Sequence, residues 1–188
     1  MSVRKYLLAI WGMAIVLGGC AGTPVDPKDE ALSLVYGYFD MKAAPSSLDW
    51  VSIKQYGKEA AWYQVSAKDG LFWHVGVESG SYQVEKFGGT GGIPLLTRRE
   101  FQYDFGTKGR NDTALRIQTP GVYFMGAYKY VDHPGGFFKE DKFEMKPAKE
   151  YAEKDLLQKL IKELESDKDL RVYTRQIDLA KKRLAGLS

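Results

Sequence analysis

The chain has 188 residues, 44% of them hydrophobic, with 27 lysine and arginine against 24 aspartate and glutamate side chains and a net charge of +3. That length supports one sizeable core rather than two large ones, and a balance so close to neutral gives no electrostatic case for a nucleic-acid partner. A single cysteine, Cys20, excludes an internal disulfide and a cysteine-based zinc cluster.

Arg4 and Lys5 precede an apolar run over 6–16 that only Gly12 interrupts. A positive start followed by a short apolar stretch marks an export signal, and the run is about half the ~20 residues a spanning helix requires. Leu17-Gly18-Gly19-Cys20 closes it and resembles the lipobox of bacterial lipoprotein precursors. The resemblance implies that 1–19 is a signal peptide removed before Cys20, that the Cys20 thiol receives diacylglyceryl, and that the new amine is acylated, commonly with palmitate. Ala21, where an aspartate would favour the inner membrane, implies a cell outer membrane anchor facing the periplasm. Loss of Arg4 and Lys5 with the signal leaves 25 basic against 24 acidic side chains. Three acyl chains, at about 0.8 kcal/mol per buried methylene, give lasting attachment. The competing readings are a cleaved but unlipidated signal and a buried helix. Gly18 and Gly19 would weaken such a helix by roughly 1 kcal/mol each, and Leu17 suits an ordinary secretory cut poorly. Residues 20–30, with Gly22, Pro24 and Pro27, read as a flexible tether.

Residues 31–146 read as short strands between turns. Leu71, Trp73, Val75 and Val77 alternate with Phe72, His74 and Gly76; Phe101, Tyr103 and Phe105 alternate with Gln102 and Asp104. Turn signals stand at Ala44-Pro45-Ser46-Ser47, Lys68-Asp69-Gly70, Gly106-Thr107-Lys108-Gly109 and His133-Pro134-Gly135-Gly136. The regular punctuation predicts an antiparallel β-sandwich. The strand over 122–131 is apolar on both faces, with Val122, Phe124, Gly126, Tyr128 and Tyr130 on one and Tyr123, Met125, Ala127 and Val131 on the other. Such a strand needs cover on both sides.

Residues 147–188 supply a candidate cover. Leu157, Leu160, Ile161 and Leu164 form a helical stripe after Pro147, which suits a helix start, and Tyr173, Ile177, Ala180, Leu184 and Leu187 form a second. Ser166-Asp167-Lys168-Asp169 separates the two stripes and offers caps. The pattern predicts a helical hairpin with at least one stripe packed on the strands; the alternative is a free amphipathic pair that binds an envelope protein partner.

Gly80-Ser81-Tyr82 and Pro120-Gly121-Val122-Tyr123 share a glycine followed two residues later by tyrosine. These strand starts resemble those of transthyretin-like (prealbumin-like) sandwiches, and 34–145 is similar to uncharacterised bacterial lipoproteins of the DUF2846 type through Leu34-Val35-Tyr36-Gly37, Asp49-Trp50-Val51-Ser52, Gly80-Ser81-Tyr82-Gln83 and the segment over 123–130. The resemblance implies a fold and carries over no catalytic residue.

Histidine is the usual general base near neutral pH. The chain has two, His74 on a strand and His133 before a turn, and neither stands at a known nucleophile spacing. Phe87-Gly88-Gly89-Thr90-Gly91-Gly92 lacks the lysine and following helix of a phosphate loop and reads as an inter-strand loop able to shape a ligand edge. Asp112, Asp132, Glu140 and Asp141 do not match a calcium loop, and no cofactor or metal motif is present. Asn111-Asp112-Thr113 is a formal glycosylation sequon that a bacterial lipoprotein would normally leave bare. Trp50, Trp62, Tyr128 and Tyr130 could stack on sugar rings if exposed, whereas alternate-position aromatics usually line a core. The expectation is a non-enzymatic, outer-membrane-anchored scaffold or accessory subunit of an envelope assembly. The alternative is a glycan or small-ligand binding module using Gly88, Gly89, Gly91, Gly92, Trp62, Tyr128 and Tyr130.

Overall fold

The computed structural model describes residues 26–57, 62–92, 97–105, 111–133 and 142–187; residues 1–25, with Cys20 and the lipobox-like segment, and the side chains of Trp62 and Lys142 lie outside them. In chain order the elements are β1 (Ser33–Asp40), β2 (Trp50–Tyr56), β3 (Trp62–Lys68), β4 (Leu71–Val77), β5 (Gly80–Gly91), β6 (Arg99–Asp104), β7 (Leu115–Ile117), β8 (Val122–His133), β9 (Lys142–Pro147), α1 (Glu153–Ser166) and α2 (Thr174–Gly186). The protein is therefore mainly β with two C-terminal helices.

The strands form one curled sheet in the order β6-β5-β2-β3-β4-β1-β8-β9, with β7 paired to the start of β5. The sandwich expectation is corrected in two respects. The sheet is mixed, because β1 runs parallel to β8 while it pairs antiparallel with β4. Its two halves also stay joined at the β3–β4 hairpin, through Ala67↔Phe72 and Lys68↔Leu71. Asp69 (φ 50°) and Gly70 (φ 82°) build that turn, two left-handed residues in succession being the signature of a two-residue hairpin whose twist matches its strands. The physical reason lies in β1. It is buried on both faces along nearly its whole length, so no alternation marks which strands flank it or in which direction they run, and β4 and β8 pair with its two edges.

The curl folds the two halves over a common core. Phe39 of β1 meets Phe87 of β5 at 5.1 Å and Phe105 at 5.3 Å, ring centre to ring centre. The end strands approach through side chains, with the Tyr103 ring of β6 5.0 Å from the Phe143 ring of β9. Val51, Ile53, Phe72, Tyr82, Val84 and Phe87 complete the fully buried centre. Burial of each such side chain contributes about 1.5–3 kcal/mol.

A second core lies on the opposite face of β1, β4 and β8. Leu34, Tyr36, Leu71, Val75 and Val122 pack there against Leu156, Leu157, Leu160, Ile161 and Leu164 of α1 and Ile177 and Ala180 of α2. The predicted stripes are thus the covering surface. Helix α1 begins at Glu153 rather than near Pro147, which ends β9 opposite Tyr128. Of the expected caps, Asp167 ends α1, its N–H donating to the Glu163 carbonyl, and its carboxylate accepts from the backbone N–H of Asp169 (2.8 Å) and of Leu170 (3.3 Å); α2 instead starts after Tyr173 without a side-chain cap.

The faces predicted for β8 are also corrected. Tyr36 of β1 pairs with Phe124, yet Tyr38 pairs with Ala127, so β8 carries an extra residue at this point. Gly126, at φ +104°, makes the bulge possible, and the side-chain alternation inverts beyond it. Val122 and Phe124 face the helices, whereas Tyr123, Met125, Tyr128 and Tyr130 face the inner core. Strand β4 has a comparable irregularity, where Ser33 pairs with Val77 and Val35 with His74. It sends Val77 to the inner core while Leu71, Trp73 and Val75 stay on the helix side.

Candidate functional site

The glycine-rich segment is a strand, which corrects the loop expectation for Gly88, Gly89 and Gly91. Gly88 through Gly91 lie within β5 and pair with β6 throughout, while on the other edge Gly88 pairs with Trp50 of β2 and Gly91 bridges to Ser46. Glycine is required here because the chain preceding β2 crosses at very close range. A Cβ on Gly89 would sit 2.1 Å from the Ser47 carbonyl oxygen, and one on Gly91 2.1 Å from that of Pro45. That approach lets the Ser47 and Asp49 N–H groups donate to the Thr90 and Gly88 carbonyls, each at 2.9 Å. Gly92, at φ +114°, turns the chain out of the strand.

Asp49 locks this crossing. Its carboxylate accepts from the Ser47 hydroxyl (2.6 Å), the Thr90 N–H (2.9 Å) and the Thr90 hydroxyl (3.0 Å). The Ser47 hydroxyl above all, joined by Thr90 and the charge of Arg98, holds the Asp49 carboxyl below the usual carboxylate range and so ionised.

A cleft of about 310 Å³ opens beside the lock. Trp50, Gly89 and Thr90 form one side, and Arg98, Glu100 and Gln102 of the β6 side form the other. Trp50 points away from the inner core, since its neighbour Val51 is fully buried within it. The indole lies against the backbone of Gly88, where a Cβ would fall 2.6 Å from Cζ2. Its cross-strand partners are small, Ser66 on β3 and Gly88 on β5, so the ring stands on an otherwise low surface. A second cavity of about 340 Å³ lies between Tyr56, Tyr82, Leu115 and Arg116, and its lining is the more apolar of the two.

The other candidates disperse. Tyr128 and Tyr130 are 5% and 7% exposed and belong to the inner core, so they offer no stacking surface. Trp62 cannot be placed, because its side chain lies outside the described residues, as do Cys20, Glu140 and Asp141. His74 points into the inner core against the Tyr63 ring at 4.7 Å, and burial pushes its imidazole down to about 4, so it is neutral at physiological pH. His133 lies 3.3 Å from Glu144 at the exposed end of β8. The sequon is a structural staple. The Asn111 amide donates to the carbonyls of Val84 (2.7 Å) and Phe105 (3.1 Å), while Thr113 accepts from the Val84 N–H at 2.8 Å. Among the described residues no group of three or more His, Cys, Asp or Glu is placed to hold a metal ion, and no helix is long and apolar enough to cross a membrane.

No protein-family model matches this chain, and neither does any curated protein or solved structure. The site therefore rests on its own geometry. Of the residues singled out in the sequence, the structure brings Trp50 and Gly89 to this cleft, together with Asp49, Thr90, Arg98, Glu100, Phe101 and Gln102, which sequence reasoning did not single out for it. The register Gly88↔Gln102 and Thr90↔Glu100 joins residues ten or more positions apart, and no local pattern announces it.

Proposed function

We propose that this protein is a lipid-anchored lipoprotein of the bacterial outer membrane, facing the periplasm and acting as a non-enzymatic scaffold or accessory subunit of an envelope assembly. The Leu17-Gly18-Gly19-Cys20 lipobox resemblance supports the anchor, and Ala21 supports the outer rather than the inner membrane. One observation carries the choice of recognition face. Helices α1 and α2 cover the outer side of β1, β4 and β8 with their apolar stripes. The outer side of β2, β3, β5 and β6 instead leaves Lys54, Gln64, Ser66, Gln102 and Asp104 exposed. That uncovered half, centred on Trp50, is the surface offered to an envelope component. A protein partner docking on the helices would find the α1 stripe already buried, and on α2 only the half-buried Leu179, Leu184 and Leu187 as apolar surface.

The transthyretin-like reading of the body belongs to the same proposal. Support comes from the two sheet halves facing each other over one core and from Tyr123, whose hydroxyl donates to the Thr119 carbonyl at 2.6 Å just upstream of its strand. A tyrosine tied back to the preceding turn is a recurrent sandwich device.

The test is a Cys20→Ala chain expressed in its host beside the native one. The native protein should incorporate labelled palmitate and sediment with outer membranes, and the variant should do neither. Equal membrane association of the two chains, or an unmodified Cys20 thiol by mass spectrometry, refutes the anchor. Photo-crosslinkers at Gln64 and at Lys162 on the outer face of α1 then report the recognition face. Adducts from Lys162 alone would refute the sheet half as the contact surface.

A further inference from the structure

We propose that the cleft beside Trp50 binds an uncharged saccharide chain, with the indole as the stacking platform. The proposal deepens the recognition face described above and rests on it.

Three features of the cleft select this ligand class. The first is the floor. Across the outer face the residues run Ser66, Trp50, Gly88 and Gln102 from β3 to β6, one aromatic among small and polar neighbours. The indole is half-buried and pressed onto Gly88 from one side. Phe101 is the other aromatic residue of the lining, and it packs against the inner core, which leaves Trp50 as the platform on the outer face. A pyranose has a flat C–H face that matches such a platform, whereas an apolar ligand would need several hydrophobic walls.

The second is the rim. Glu100, Arg98 and Gln102 are all exposed and flank the same opening, so acceptors and donors alternate within one ligand's reach. Sugar hydroxyls both donate and accept, and they use both kinds of group. The charges are of mixed sign, with Arg98 beside Glu100 and the ionised Asp49, which gives neither the basic cluster that selects an anion nor the anionic cage that selects a cation.

The third is rigidity. Three hydrogen bonds from Ser47 and Thr90 engage the Asp49 carboxylate, so its role is to hold the crossing chain against β5 and fix Trp50 beside it. It acts as a positioning residue. A floor assembled before the ligand arrives does not lose ordering entropy on binding. The volume of about 310 Å³ stands at the small end of the ~300–1,000 Å³ usual for ligand clefts. It fits one or two rings of a chain whose remainder runs out along the open face.

The experiment uses the full-length chain in detergent and two probes, chitotetraose (an N-acetylglucosamine oligomer) and cellotetraose (a glucose oligomer), read by isothermal titration calorimetry. Saturable binding of either at up to millimolar concentration is the expected result. Binding of chitotetraose alone identifies an acetamido-sugar chain such as cell-wall glycan, and binding of both identifies general recognition of a neutral chain. Trp50→Ala should weaken binding by roughly tenfold or more, and Trp50→Tyr should retain most of it. Gln102→Ala, an exposed change on an end strand that leaves the fold intact, should weaken binding a few-fold and guards against misfolding of the tryptophan variant. Absence of binding to both probes, or unchanged affinity in Trp50→Ala, overturns the proposal. The assay requires neither membrane attachment nor an envelope partner, so its failure leaves the scaffold reading intact, and failure of lipidation leaves the saccharide result intact.

Discussion

Protonation of His74 should make this fold acid-sensitive well above the range in which carboxylates titrate. The imidazole sits in the inner core against the Tyr63 ring, and burial lowers its affinity for a proton from the ordinary 6.5 to about 4. The unfolded chain keeps the ordinary value. Above pH 6.5 His74 is neutral in both states and stability does not depend on it. As the pH falls from 6.5 towards 4, the unfolded state takes up a proton that the folded state refuses, and stability declines. Below 4 both states are protonated and the loss stops growing. The full difference is about 3 kcal/mol, and about 2 kcal/mol of it is gone by pH 5. The lowered carboxyls of Asp40 and Asp49 act in a separate window. Their contribution is present above the ordinary aspartate value of 3.8 and is lost as the pH falls from there through their depressed folded values. Urea unfolding from pH 8 to pH 4.5, followed by tryptophan fluorescence, measures the effect. The native chain should lose stability across this range, and His74→Phe, which cannot ionise, should lose that slope whatever its own baseline stability. A parallel decline in the two proteins, or an NMR titration that places the folded His74 near 6.5, would show that the ring is not desolvated as described.

Two further outcomes follow from the packing. Gly89→Ala places a methyl 2.1 Å from the Ser47 carbonyl, so the crossing chain must move and its bonds to Thr90 must break. A loss of about 2 kcal/mol is expected, seen as a lowered thermal midpoint, and an unchanged midpoint would mean that the crossing is loose. Glu153 accepts from the fully buried Tyr36 hydroxyl at 2.8 Å and from Arg183 at 2.6 Å, tying both helices to β1. Glu153→Ala should cost about 2 kcal/mol by taking away the acceptor of the buried Tyr36 O–H and the carboxylate partner of Arg183. Tyr36→Phe should cost less, and combining the two should be clearly less than additive, which denaturant titration of the double-mutant cycle measures.

Local chemistry made much of this fold legible. The Asp69-Gly70 turn, the alternation of β6, and the stripe Leu157, Leu160, Ile161 and Leu164 each express a rule that acts within a few residues, and each stands where that rule places it. The demand of 122–131 for cover on both faces correctly anticipated packed helices. The Gly88–Gly91 segment misled because glycine runs are common in loops; the close passage of Pro45 and Ser47 that requires them is a contact across more than forty residues.

The sequence by itself determined most of the strands, both helices and which residues are apolar enough to be buried, because periodicity follows from backbone geometry alone; the glycine-rich end of β5, which has no side-chain period, escaped it. Tertiary structure decided the rest. The parallel pairing of β1 with β8, the face reversal at Gly126, and the meeting of Trp50 and Asp49 with Thr90, Glu100 and Gln102 each depend on the register between distant strands. Register is a property of the assembled sheet, set where one residue of slip exchanges core for solvent, and no single segment contains it.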